Sequence, residues 1–216
     1  MDATTSIDKA LQRSEEWHAQ RLGVFTSSEI YKLMGSGKGK MFTDAGEKYI
    51  MEKVAERLTG CRDDVKTTPA MQWGIDNEPK AKQWVAKIKG WEIHDTGFVK
   101  HHTLNYGGSG DGWVRDINGA IEVKCLNTAN HLQEVRYSET IEELKSNYPN
   151  RYWQVTSDAF LRGCDKIIMC WFDPRINNKF GLVIREFPLN KADAEFMIKR
   201  IEAAEKIFNE QLEFFK

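Results

Sequence analysis

Apolar positions in this chain recur first with helical spacing, and that spacing lays out the opening elements. Ser14 can cap a helix to Leu22 whose first turn holds Glu15 and Glu16, with Gly23 to end it. Thr26, Ser27 or Ser28 opens a second, shorter helix in which Ile30, Leu33 and Met34 are apolar, closing near Gly35. Thr43 begins a longer helix through about Leu58, with Ile50, Val54 and Leu58 on one stripe and Gly60 behind it. From Pro69 a further helix runs to Ile88 and stops at Gly90, its core side carrying Met71, Trp73, Trp84, Val85 and Ile88. Pro79 interrupts that pattern beside Glu78 and marks a kink or a second start.

Strand patterns follow. Trp91 to Val99 reads as one strand, and Gly108 to Cys125 as a hairpin, with Val114 and Ile117 on the first arm and Ile121 and Val123 on the second. Asn118-Gly119 between them is a strong turn signal. An irregular segment leads to a short acidic helix near Glu139–Lys145, then to a helix from Tyr148-Pro149 to Leu161, stopped by Gly163. The nearly continuous apolar run from Lys166 to Asp173 predicts a buried central strand. A last strand spans Leu182 to Phe187, and a final helix from about Asn190 repeats apolar residues at Met197, Ile201, Ala204, Phe208 and Phe215. No internal repeat, low-complexity tract or linker divides residues 1–216, so one domain is expected.

The hairpin carries the chemistry. Glu122 and Lys124 point to one face and Ile121 and Val123 to the other, because strand side chains alternate. Whether Asp111 joins them depends on register. A two-residue Asn118-Gly119 turn leaves it on the correct face but about 13 Å along the strand from Glu122. A four-residue loop, Asp116 to Gly119, sets Asp111 opposite Lys124 and makes Glu122 its diagonal neighbour at about 7–8 Å. The second register is favoured, since it lets two carboxylates share a cation. Two carboxylates suit Mg2+ or Mn2+, such a metal activates a water, and a nearby ammonium can orient that water. The plainer reading, a surface hairpin with a Glu–Lys pair, is outweighed by the Gly-rich approach to Asp111 and by the flanking motifs.

Composition narrows the setting. The chain has 216 residues, 41% hydrophobic and 29% charged, as in a soluble globular protein. Its net charge of −1 means that any nucleic-acid contact must rest on local basic groups. Cys61, Cys125, Cys164 and Cys170 form no C-x-x-C pair and are expected to be reduced thiols. No leader-like segment and no apolar run of membrane-spanning length is seen, so a cytoplasmic location is expected. Arg21 followed by Thr26, Ser27 and Ser28 is either a phosphate cradle or simple helix capping. Gly35 to Lys40 is not a P-loop, because Lys32 stands where the first Gly belongs and Gly39 follows Lys38. It reads as a flexible basic loop able to touch a DNA backbone. His101-His102 are adjacent on a strand, face opposite sides and are read as incidental.

The ordered set is more specific than any member: Trp17 to Arg21 with Thr26 to Ser28, Trp73-Gly74 with Glu78, Ser109-Gly110-Asp111-Gly112, Glu122-Val123-Lys124, Tyr152-Trp153-Gln154-Val155 and Phe172-Asp173-Pro174-Arg175. It resembles the PD-(D/E)XK nucleases, and within them the phage lambda exonuclease-like alkaline exonucleases and YqaJ-like viral recombinases. The resemblance implies an α/β (α+β) fold with a restriction-endonuclease-like core, a central mixed β-sheet flanked by helices. It further implies a Mg2+-dependent 5′-to-3′ exonuclease that digests one strand of linear duplex DNA from 5′-phosphorylated ends and leaves 3′ overhangs. By the same resemblance Asp111 and Glu122, with the Val123 carbonyl, bind one Mg2+, and Asp111 with Glu78 binds a second, Mn2+ being able to substitute. Lys124 positions the attacking water, and Gln154 belongs to the same catalytic group. Arg21, Ser28 and Ser109 bind the 5′-terminal phosphate, and Met71 falls where the family has a strand-separating wedge. A ring-shaped homotrimer and a single-strand annealing recombinase as partner are implied in the same way. Two departures stand out: Thr156 replaces the second glutamine of the family's Gln-x-Gln helix, and Gly110 replaces the motif's Pro. A site-specific endonuclease, an iron–sulfur nuclease (disfavoured by the ungrouped cysteines) and a non-catalytic DNA-binding module are the other readings.

Overall fold

The computed structural model describes residues 7–8, 14–62 and 67–216. In chain order come β1 (Ile7–Asp8), α1 (Glu15–Gln20), β2 (Phe25–Thr26), a 3-10 turn (Ile30–Leu33), α2 (Asp44–Thr59) and α3 (Pro69–Lys89). Four short strands follow: β3 (Ile93–His94), β4 (Phe98–Lys100), β5 (Tyr106–Gly108) and β6 (Gly112–Val114). After a 3-10 turn (Arg115–Ile117) come β7 (Gly119–Lys124), α4 (Thr128–Arg136), α5 (Ile141–Asn147), α6 (Pro149–Leu161), β8 (Lys166–Phe172), β9 (Leu182–Pro188) and α7 (Lys191–Phe214).

The main sheet has the order β3-β6-β7-β8-β9 and is antiparallel except for the β7–β8 pair. A parallel pair needs a crossover, and α4, α5 and α6 supply it. Alternation on the central strands divides the interior. Ala120, Ile167, Met169 and Trp171 face the larger cluster, which contains Trp153, Val155 and Ala159 of α6 and the Met197–Phe208 stripe of α7. Ile121, Val123, Ile168, Cys170 and Phe172 face Ala81 and Val85 of α3. The mixed sheet between helices matches the expected α/β class. A second, small sheet, β1-β4-β5-β2, carries the turn after β5.

Ser14 and Thr43 cap α1 and α2 where the sequence places them, Thr68 caps α3 just ahead of its predicted start at Pro69, and Gly60 and Gly90 end α2 and α3 in left-handed conformation. Several expectations change. The predicted strand over 91–99 is two short strands in different sheets, because Asp95-Thr96-Gly97 breaks the pairing. The segment after the hairpin is not irregular but holds α4, whose buried side includes polar His131 and Glu134 and so lacks an apolar stripe. In α3 the buried positions are Asn77, Ala81 and Val85, while Trp84, Ile88 and Met71 are exposed. Small residues let that helix approach the sheet closely; Trp73 packs against the cluster as predicted, whereas Trp84 and Ile88 point away. Leu58 and Phe215 likewise leave their predicted stripes for solvent. The Gly35–Lys40 loop makes a Gly37–Lys40 bridge, and Lys40 pairs with Glu47 at 2.9 Å, so its charge is engaged locally. His101 and His102 lie just past β4 with their rings 4.4 Å apart, not on opposite faces of a strand.

The hairpin closes in neither register considered from sequence. Gly112 pairs with Ile121 and Val114 with Gly119. Arg115–Ile117 winds into a 3-10 turn and Asn118 takes a left-handed φ of 47°, with its N–H donating to Arg115 at 3.1 Å. The loop therefore begins one residue earlier than expected. One step beyond the Gly112–Ile121 pair, Asp111 stands directly beside Glu122 instead of diagonal to it.

Candidate active site

Main-chain pairing brings the chemical groups together. Asp111 enters β6 and lies level with Glu122 of β7, and its Oδ2 accepts from the Val123 N–H at 2.7 Å. Glu122 is buried at 2% exposure. Its Oε1 accepts from Lys124 Nζ at 2.5 Å, and the same ammonium donates to Gln154 Oε1 of α6 at 3.3 Å. Glu122 Oε2 is buried with no hydrogen-bond partner among the described residues. Glu78 approaches from α3, held to Lys82 at 2.9 Å, and Lys82 also reaches Asp95 at 2.8 Å. Burial, followed by the charges of Glu122 and Glu78, pushes the Asp111 carboxyl well above the usual carboxylate range, and Lys124 only partly offsets this.

Among the described residues no three His, Cys, Asp or Glu side chains form a ready metal cage. Glu122 and Glu78 each turn an oxygen to a lysine instead. The donor set nonetheless fits a hard divalent cation. Three carboxylates crowd one edge of the sheet, one of them holds its proton abnormally tightly, and one buried oxygen lacks any partner. A cation bound there would relieve each of these.

A second cluster adjoins the first. β2 runs parallel to β5, with Thr26 beside Gly107, so Ser27 and Ser28 follow directly next to Gly108-Ser109. The turn is pinned by Tyr49, whose hydroxyl accepts from the Thr26 N–H at 2.9 Å, and by Glu56, which accepts from the Gly23 N–H at 2.9 Å. Arg21 stacks 4.1 Å above Trp17, and both donate to Ser109 Oγ, at 3.2 and 3.1 Å. Ser28 Oγ lies 3.4 Å from Thr26 Oγ1. Arg21 is nearly buried, and among the described residues its Nε has no hydrogen-bond partner and it forms no ion pair. Burial first, then the Arg62 charge, lowers its guanidinium to about 10, so it remains a cation at neutral pH. A buried cation with open donors beside two hydroxyls is chemically suited to a phosphate. Met71, in the first turn of α3, is 46% exposed rather than part of the core.

Asp158 of α6, buried with Oδ2 unpartnered, lies under this cluster. A Cβ on Gly108 would fall 1.9 Å from Ser27 Oγ and 2.4 Å from Asp158 Oδ1, so only glycine allows the strap to cross there. Burial, with Glu122 adding and Arg162 opposing, raises the Asp158 carboxyl to about 6. An acidic concavity of about 770 Å3 lies elsewhere, lined by Glu202, Glu205, Glu210 and Glu213 of α7, and its charge is wrong for nucleic acid.

The profile of the YqaJ-like viral recombinase domain matches residues 16–165, which include Arg21, Glu78, Asp111, Glu122, Lys124 and Gln154. The chain belongs to that family. Solved structures place the fold with exonucleases. An alkaline exonuclease from Laribacter hongkongensis superposes with a TM-score of 0.82 at 24% identity, over 94% of this chain and 96% of that one. The same enzyme in complex with dAMP gives 0.81. A phage-related exonuclease from Haemophilus somnus 129PT gives 0.73 at 15% identity, over 89% and 96%. No curated protein matches the chain by sequence. Among the described residues no helix is long and apolar enough to cross a membrane.

Asp158 and Lys82, beside these clusters, were not singled out from sequence. Asp158 stands four residues after Gln154, on the same helix face, and that spacing was the available signal. Lys82 stands four residues after Glu78 in the same way.

Proposed function

We propose that this member of the YqaJ-like family is a divalent-metal-dependent exonuclease that digests one strand of linear duplex DNA from its 5′ end. The observation that carries the reading is the convergence of Asp111, Glu122 and Glu78 beside the Lys124–Gln154 contact, one strand away from the Arg21–Ser109 cluster. In this reading Asp111 and Glu122, with the Val123 carbonyl, would hold one Mg2+ ion and Asp111 with Glu78 a second. Such ions lower the pKa of a coordinated water and offset charge on the scissile phosphate.

The protein's own groups have separable tasks. Lys124, steadied by Gln154, orients the attacking water and meets charge developing on the phosphate. Arg21, Ser28 and Ser109 hold the terminal 5′ phosphate, which sets which end is digested and how far the scissile bond lies from it. Met71, exposed at the entry of α3, separates the two strands at the end. Digestion in this direction leaves a 3′ overhang for a single-strand annealing protein, and a ring trimer of the chain would keep the duplex threaded. Light scattering tests the trimer.

The decisive experiment uses linear duplex DNA labelled separately at each end, with and without 5′ phosphate, in Mg2+. Closed-circular DNA and a Lys124→Ala variant, shown by thermal melting to be folded at the assay temperature, serve as controls. Mononucleotides released from phosphorylated 5′ ends alone, and lost in the variant, are expected. Cutting of the circle would make the chain an endonuclease, and binding without cleavage would make it a DNA-binding module.

A further inference from the structure

Arg175, the last residue of the Phe172–Arg175 motif, lies just past the end of β8 and has no role among those assigned so far. Its Nε and Nη2 fork onto Asp173 at 2.7 and 2.9 Å, and Nη2 also donates to the Leu126 carbonyl at 3.2 Å, two residues past Lys124. The guanidinium lies 4.2 Å above the ring of Trp73, in α3 five residues before Glu78. Asp173 is fully buried and accepts a further hydrogen bond from Thr128 Oγ1 at 2.7 Å. Three sides of the guanidinium are therefore fixed. Its Nη1, by contrast, has no hydrogen-bond partner among the described residues, and the side chain is 46% exposed.

Such rigidity suits recognition of an anion, because an ordered guanidinium loses little entropy on binding phosphate. Its position suggests which phosphate. β7 lies between β6 and β8, so Arg21 with Ser109 flanks the carboxylates on one side and Arg175 flanks them on the other. A strand whose terminal phosphate sits at Arg21 and whose scissile bond sits at Asp111 and Glu122 continues towards Arg175. We propose that Arg175, forked by Asp173 and backed by Trp73, binds a phosphodiester of the digested strand on the 3′ side of the scissile bond. The assignment rests on the exonuclease reading for its direction along the strand.

The test measures equilibrium binding of the full chain to fluorescent 5′-phosphorylated duplex in EDTA, across a range of salt concentrations, for wild type, Arg175→Gln and Arg175→Lys. Thermal melting checks that each variant is folded. Loss of one phosphate contact should reduce the slope of log affinity against log salt by about 0.9 in Arg175→Gln. Affinity should fall about 10-fold, the effect of a charge-assisted contact, while Arg175→Lys keeps most of the slope. Duplexes carrying one neutral methylphosphonate at successive linkages give the second readout. The linkage 3′ of the scissile bond that weakens wild type should not further weaken Arg175→Gln. If Arg175→Gln does not fold, the double variant Arg175→Gln with Asp173→Asn, which removes the stranded buried carboxylate, takes its place in both measurements. An unchanged slope in a folded variant, or additive losses at every linkage, would overturn the proposal. Because no cleavage occurs in EDTA, failure of the exonuclease reading and failure of this contact are separable: DNA digestion with an unchanged slope sinks only the contact.

Discussion

Replacing Lys124 by Met should destabilise the protein independently of the catalytic role proposed for it. Glu122 is 2% exposed, Oε1 has the Lys124 ammonium as its hydrogen-bond partner, and Oε2 already has none. The variant leaves a buried carboxylate with both oxygens unpaired, a defect that costs about 3–5 kcal/mol when one partner of a buried pair is removed. In a domain of this size about 1 kcal/mol moves Tm by roughly 2–4 °C, so a fall of roughly 10 °C is expected in EDTA at pH 7.5. Adding Glu122→Gln to Lys124→Met removes the stranded charge and should restore most of the loss, giving a coupling of about 2 kcal/mol or more. Circular dichroism melts of wild type, both single variants and the double variant supply the cycle. A coupling below about 0.5 kcal/mol would refute the reasoning, since the two side chains would then be independently solvated. The cycle also governs how a loss of cleavage is read: the double variant, inactive but folded, is a better control than Lys124→Met alone.

Asp158 has a carboxyl raised to about 6, above its unfolded value near 3.8, so the folded state binds more protons between those values. Stability contributed by the protonated form is present below about pH 4 and is lost as pH rises to about 6, on the order of 3 kcal/mol in all, and Asp158→Asn should flatten this dependence in melts from pH 4 to 8. A variant as pH-sensitive as wild type would remove Asp158 as the source. Arg21→Gln should reduce the ratio of digestion rates on 5′-phosphorylated over 5′-hydroxyl ends by about 10-fold or more, the effect of losing a charge-assisted contact. An equal slowing on both ends would place Arg21 elsewhere in the mechanism. Met71→Ala, at an exposed position, should change stability by less than about 0.5 kcal/mol. The same variant should slow digestion of duplex more than of pre-melted ends, and equal slowing on both substrates would end its assignment as a wedge.

Much of the architecture was legible because local and tertiary signals agreed. Thr43, Thr68, Gly60 and Gly90 bound their helices through side-chain oxygens and left-handed glycines, which need no neighbours to be read. The run from Lys166 to Phe172 is apolar on both faces because helices cover both faces. Disagreement arose where tertiary packing chose the face. α3 buries Asn77 and Ala81 and exposes Trp84 and Ile88, the reverse of what residue size suggests. α4 buries His131 and Glu134 because partners await them: Phe180 for the imidazole, Arg151 and Trp171 for the carboxylate. A polar residue with a buried partner carries no periodic signal in its own segment.

The candidate site divides along the same line. Asp111, Glu122 and Lys124 could be grouped from sequence because strand alternation is a local rule, and only the offset between strands was open. That offset was settled by the left-handed Asn118, whose side chain is held from outside the hairpin by Gly163 and Asp165 at 3.1 and 2.9 Å. The register of the Asp111–Lys124 hairpin thus depends on the turn that ends α6 and starts β8. Asp158, on α6 itself, packs beneath the Gly108 strap leading to Asp111. One helix therefore sets the hairpin through its end, supports the strap through Asp158 and steadies Lys124 through Gln154. No pattern within residues 108–125 contains that information, and substitutions along α6 should disturb the site more than their distance in sequence suggests.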